Sequence, residues 1–218
     1  MIEKKIKTED IFSITTSEEF RGKALEVFRY QYRNNPVYRQ FCDLLNRTPD
    51  QVQELEHIPF LPIEFFKTHL VTTRDGEPEV IFTSSGTTGS TPSRHLVYDL
   101  EIYEKSFLKG FRRFYGDIQN YAVLALLPSY LEREGSSLIY MVNDLIRASA
   151  NPQSGFYLHN YEEFSQKLKH LDASGQPVLV IGVSYALLDV AQQHPLKLNH
   201  AIIMETGGMK GRRKEMIR

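Results

Sequence analysis

The sequence predicts an α/β fold: a largely parallel sheet flanked by helices, with an N-terminal helical segment. Two runs, "YAVLALL" (121–127) and "PVLVIGV" (177–183), carry almost no polar residue, as expected of strands buried on both faces. Beyond residue 76, strand-like and helix-like stretches alternate, which implies parallel strands joined by helical crossovers. Before it, the apolar residues recur at helical spacing. The turn-rich "RDGEPE" (74–79) marks the change, so residues 1–75 form a helical segment packing on the main domain of residues 76–218.

Taken in order, Ser17 precedes two glutamates, and Phe20, Ala24, Leu25, Phe28 and Tyr32 then share one helix face until "NNP" (34–36) stops it. A shorter apolar stretch runs from Val37 to Leu45. "TPDQ" (48–51) has the form of a helix start, with Thr48 as N-cap, Pro49 first and Gln51 closing a capping box. Two prolines make "IPFLPIEFF" extended or kinked. "VIFT" and "HLVY" are short strands on either side of a polar loop. Residues 99–116 form a helix with Tyr103, Phe107, Phe111 and Phe114 on one face and Gly116 as its stop. After the strand 121–127 come a helix from Ser137 to Ser149, the strand "FYL", and a helix opening at Asn160 with Glu163 closing a capping box. The strand 177–183, a helix to Gln192 and the strand "HAIIMET" (200–206) complete the alternation.

With 26 lysines and arginines against 27 acids, the chain of 218 residues has a net charge of −1, which disfavours nucleic acid or an anionic membrane as partner. Cys42 is the only cysteine, so no intrachain disulfide forms and a reducing cytoplasm is the expected location. It sits among Phe41, Leu44 and Leu45, the setting of a small core residue. The histidines are scattered, without zinc-ligand spacing, so no metal site is expected.

The stretch "TSSGTTGSTPS" (83–93) holds eight hydroxyl residues and two glycines in eleven positions. Successive N–H groups and hydroxyls at glycine-permitted conformations form a cradle for phosphate oxygens. A slack serine/threonine-rich connection is the alternative. The loop is not a Walker A sequence, because no lysine follows Gly89. "GVSYA" (182–186) has the outline of a nucleophile elbow, but only His194 and His200 follow, and an ordinary N-cap explains Ser184 more simply.

"SSGTTGS" resembles the phosphate-binding motif of the adenylate-forming superfamily. With "VFRYQYRNNPVYRQF" (27–41), "IPFLPIEFFKTH" (58–69), "LLPSYLEREGSSLIYMV" (126–142) and "METGGMKGR" (204–212), the chain is similar to the LuxE-like acyl-protein synthetases. The resemblance implies the fold of the N-terminal domain of adenylate-forming enzymes, with residues 76–218 as a nucleotide-binding subdomain. It implies activation of a fatty acid with ATP and Mg²⁺ to an acyl-adenylate, then transfer to a thiol. Coenzyme A as acceptor, or a non-catalytic module binding an anion or partner, are the alternatives. It assigns Ser84, Ser85, Gly86, Thr87, Thr88, Gly89 and Ser90 to the phosphates, and Gly207 and Gly208 to the adenine. Tyr130 falls at the acyl pocket, and Gly182, Ser184 and Tyr185 at a further wall of it. Where relatives place a basic residue soon after the loop's proline, Pro92 is followed by Ser93 and Arg94, which either supplies that charge or pairs with a surface carboxylate. The superfamily's later nucleotide contacts and the family's acylated cysteine have no counterpart up to Arg218. The chain is therefore expected to be an incomplete, inactive part of an enzyme.

Overall fold

A computed structural model describes residues 6–84, 91–128, 135–207 and 209. The chain divides into two compact units, Met1–Tyr103 and Glu104–Arg218. The first unit holds the N-terminal helices together with an antiparallel hairpin, and the second holds a four-stranded parallel sheet.

In the first unit, α1 (Thr8–Phe12) leads into α2 (Ser17–Asn34), α3 (Pro36–Leu44) and the short α4 (Phe65–Thr68). Helix α2 starts one residue earlier than Ser17 implies. Thr16 is the N-cap, its side chain accepting from the Glu19 amide while Glu19 accepts from the Thr16 amide. Asn35 ends α2 and caps α3 through Tyr38 N (3.1 Å), with Pro36 in the first turn. A small core forms where α2 meets α3: Leu25, Phe28, Tyr38, Cys42 and Val52 are all buried. Phe28 meets Tyr38 edge-on at 6.2 Å, and Tyr38 donates to the Pro59 carbonyl at 2.6 Å. Burial pushes the Cys42 thiol up, as befits a core residue.

"TPDQ" makes a single turn and no helix. Thr48 N donates to Gln51 Oε1 (3.2 Å) and Val52 N to the Thr48 carbonyl (3.0 Å), but the chain then turns to bury Val52 completely. Burial of one apolar side chain outweighs a local start signal that is only half formed. Residues 58–62 follow an irregular path, as their prolines require. The hairpin pairs β1 (Val80–Thr83) with β2 (Arg94–Val97), placing Phe82 opposite His95 and Thr83 opposite Arg94.

Helix α5 (Leu100–Tyr115) ends at Gly116, whose φ of +81° is the left-handed conformation that stops a helix. Phe111 is buried, but Phe114, three residues on, is 77% exposed and lies outside the core. In the second unit follow β3 (Ala122–Leu126), α6 (Ser137–Ser149), β4 (Gly155–Tyr157), α7 (Tyr161–Ala173), β5 (Val178–Val183), α8 (Ser184–Gln193) and β6 (Ala201–Thr206). All neighbours in the sheet order β4-β3-β5-β6 are parallel. Every residue of β3 and β5 is buried, so the two unbroken apolar runs form the sheet centre. Right-handed crossovers require α6 on one face and α7 with α8 on the other, because the path reverses direction at β4. Asn160 caps α7 without a side-chain bond to its backbone; its amide reaches Glu163 Oε2 instead (3.1 Å).

Two details hold β5 and β6. A side chain at Gly182 would place its Cβ 2.7 Å from Leu187 Cγ, so glycine lets α8 fold back against its own strand. At the end of α7, the Asp172 carboxylate accepts from Asn199 N (3.0 Å) and His200 N (2.6 Å), fixing the entry to β6. The His200 and Asn199 amides hold this carboxyl below its ordinary range.

Gly182→Ala is expected to destabilise the protein by about 1–3 kcal/mol through overpacking, measured by urea denaturation. An unchanged midpoint would show that Leu187 yields freely. For Asp172, the folded state has the lower pKa, so its stabilisation is present above the unfolded value near 4 and is lost as pH falls below it. The melting-temperature gap between wild type and Asp172→Ala should be widest near neutral pH and close below about pH 4. A gap that widens in acid would contradict this.

Candidate functional site

The hairpin end carries the first group of expected site residues. Ser84 continues the ladder beyond Thr83: its amide donates to the Ser93 carbonyl (3.1 Å), and its Oγ accepts from Ser93 N (2.9 Å). The Ser84 amide is thus committed to the backbone, and its hydroxyl proton is what it can offer a ligand. Arg94 is exposed and has no ion-pair partner among the described residues. Its exposed guanidinium, at the loop's end, is suited to bidentate contact with an anion. Ser85, Gly86, Thr87, Thr88, Gly89 and Ser90 lie outside the described residues.

A second group meets at the carboxyl edge of the parallel sheet, where β5 and β6 end in register with Gly182 opposite Glu205. Ser184 is the first residue of α8 and not its N-cap, which is Val183. Its buried hydroxyl instead donates to the Glu205 carboxylate, with the Gly207 carbonyl at 3.2 Å as a second acceptor. Gly207 has φ of +79°, a conformation that favours glycine where the chain turns away from β6. Tyr185 is 1% exposed and belongs to the core. The strand order changes direction between β3 and β5, and the crevice outside the carboxyl ends at such a point is where open α/β sheets take ligands. The segment leaving β3 enters this edge through Leu127 and Pro128; Tyr130 and Gly208 lie outside the described residues.

The first unit contains a feature that the sequence reading missed. A groove of about 680 Å³ runs between α2, the segment 55–61 and β2. Phe20, Val27, Phe28, Leu61, Phe66 and Leu96 give it an apolar lining, and its volume lies within the range of small-molecule pockets. His95 also lines it, its ring stacked on Phe66 at 5.6 Å. The residue is exposed, and the stacking of its ring on Phe66 desolvates it only in part, which lowers its pKa. The signal available in sequence was a surplus: α2 carries more apolar residues than its contact with α3 consumes, leaving Phe20 54% exposed.

Among the described residues, no cluster of three or more His, Cys, Asp or Glu is placed to hold a metal ion. No described helix is long and apolar enough to cross a membrane.

The family model for LuxE acyl-protein synthetases matches residues 11–111, just under half of the chain. Over 74 residues the chain is 39% identical to a long-chain-fatty-acid–luciferin-component ligase of Photorhabdus luminescens, covering 33% of this chain and 63% of that one. Over 63 residues it is 46% identical to the ligase of the same name from Vibrio harveyi, covering 28% of this chain and 16% of the relative. The chain thus spans less than two thirds of the length of either relative. The segment from α1 into α5, with its groove and hairpin, is similar to the LuxE acyl-protein synthetases.

Proposed function

We propose that the protein takes part in ATP-dependent activation of a long-chain fatty acid, followed by transfer of the acyl group to a thiol. The carrying observation is that the LuxE match of residues 11–111 spans both the hydroxyl-rich loop and the apolar groove. The relatives named above are long-chain-fatty-acid ligases, which supports a fatty acid as the substrate.

In the first step, a carboxylate oxygen attacks the α-phosphorus of ATP and the bond to pyrophosphate breaks. Its charge must be held as it leaves, and donors already in place do this without reorganisation. The Arg94 guanidinium and the Ser84 hydroxyl fit that task from the described end of the loop, and Ser85 to Ser90 are assigned to it by resemblance. Mg²⁺, when bound with ATP, would supply charge neutralisation at the phosphates. Gly207 and Gly208 are assigned to the adenine. In the second step a thiol sulfur attacks the acyl carbon and AMP departs. A cysteine of a protein is the acceptor proposed here, with coenzyme A the alternative.

The test is fatty-acid-dependent ATP–pyrophosphate exchange by the complete product of the gene. Wild type should exchange with long-chain acids. Gly89→Val should abolish exchange while the melting temperature stays nearly constant, since the buried runs of β3 and β5 are untouched. Arg94→Ala should raise KM for ATP roughly tenfold or more, the scale of one lost hydrogen bond to a charged group, without weakening the acid. Absence of exchange with short, long and aromatic acids would overturn the activity and favour a non-catalytic module. Normal exchange in Gly89→Val would overturn the loop assignment.

A further inference from the structure

The groove of the first unit has a lining whose polar groups are mostly spent. Lys23 is paired with Glu26 (2.6 Å) and Asp10 (3.5 Å). Asn35 accepts from Tyr38 N (3.1 Å) and reaches Gln31, while Thr72 and Tyr98 both donate to the Arg74 carbonyl, at 2.9 and 3.2 Å. A peptide segment laid in the groove would bring amide groups that need partners, and these residues have few left to give. An alkyl chain needs none, and gains by leaving water.

His95 differs from these residues. Its imidazole has no hydrogen-bond partner among the described residues, and one of its faces is covered by Phe66. It also stands one residue from Arg94 and two from Ser93, on the strand that leaves the hydroxyl-rich loop. His95 is thus the groove-lining polar side chain that keeps its hydrogen-bonding capacity among the described residues, and it adjoins the proposed phosphate site, while Phe20, Val27, Leu61 and Leu96 offer apolar surface. An amphiphile can lay its alkyl chain on that surface and set its polar head at His95.

We propose that this groove binds the alkyl chain of the long-chain acid, with His95 donating a hydrogen bond to its carboxylate beside the loop. The assignment rests on the proposed fatty-acid activation, and it differs from the expectation that Tyr130 and the 182–185 segment form the acyl pocket. The chain length accepted is then set by residues of α2, where Val27 and Ala24 face the groove. His95 is a positioning residue for the acid's polar end.

The experiment uses the 218-residue chain without ATP. Affinities for saturated acids from octanoate to hexadecanoate are measured by displacement of a fluorescent fatty acid. Each added methylene should tighten binding about fourfold until the groove is full. Val27→Trp should weaken tetradecanoate at least tenfold, and His95→Ala should weaken the acid while leaving its methyl ester within twofold. Unchanged tetradecanoate affinity in Val27→Trp, or affinity independent of chain length, would overturn the proposal. A tetradecanoic acid carrying a diazirine in its chain tests the same point on unmutated protein, should the tryptophan variant fail to fold. Labelled peptides should come from residues 11–98, and label confined to 104–218 would overturn the site. Label in the groove without ATP–pyrophosphate exchange would leave the groove standing and remove the activation step. Exchange with label outside the groove would do the reverse.

Discussion

The pairing of Val80–Thr83 with Arg94–Val97 is the constraint on which the rest of the first unit depends. A two-stranded hairpin is marginal alone in water, and closing the segment between Ser84 and Ser93 costs chain entropy. Side-chain packing must offset both. Phe82 is buried against Tyr103, with ring centroids 5.2 Å apart, and His95 is stacked on Phe66. Residues directly opposite in an antiparallel pair share a face, so Phe82 and His95 lie together while Thr83 and Arg94 take the other side. One short strand thus offers a guanidinium on one face and an imidazole on the other. Arg94 adjoins the loop while His95 and Leu96 line the groove, so the strand itself links the two.

The second unit obeys a different constraint. Strands β3 and β5 are buried on both faces, so their register is fixed by apolar packing from α6, α7 and α8. Polar groups appear where the strands stop. Asp172 orients the entry to β6, and the Ser184–Glu205 contact ties the exits of β5 and β6 together. Gly182 belongs to this packing, because the space it leaves is filled by Leu187. The carboxyl edge is thus assembled from residues that first serve the fold, with Gly207 shaping the turn beyond it.

What could be read from the sequence follows the range of the interactions involved. The buried runs were legible because burial on both faces leaves no place for polar residues. Helix ends were legible to within a residue: the Thr16 capping box lies one position before Ser17. Features decided by distant packing were not. Thr48 has half of a capping box, yet burial of Val52 diverts the chain; Phe114 has the spacing of its neighbours but lies in solvent; and Ser184 bonds to Glu205, 21 positions away, instead of capping its helix. The groove is the extreme case. Its walls come from α2, the proline-broken segment and β2, and no local spacing announces that three such surfaces will leave a space between them.

In the proposed arrangement β2 serves a nucleotide-binding loop and an acyl-binding groove together. Amide and imidazole chemical shifts of the isotopically labelled chain, followed during separate titrations with tetradecanoate and with ATP and Mg²⁺, test it most directly. Tetradecanoate should move His95, Leu96 and the α2 lining, while ATP should move Ser84, Ser93 and Arg94. Shifts from both ligands confined to residues 104–218, with β2 unmoved, would contradict it.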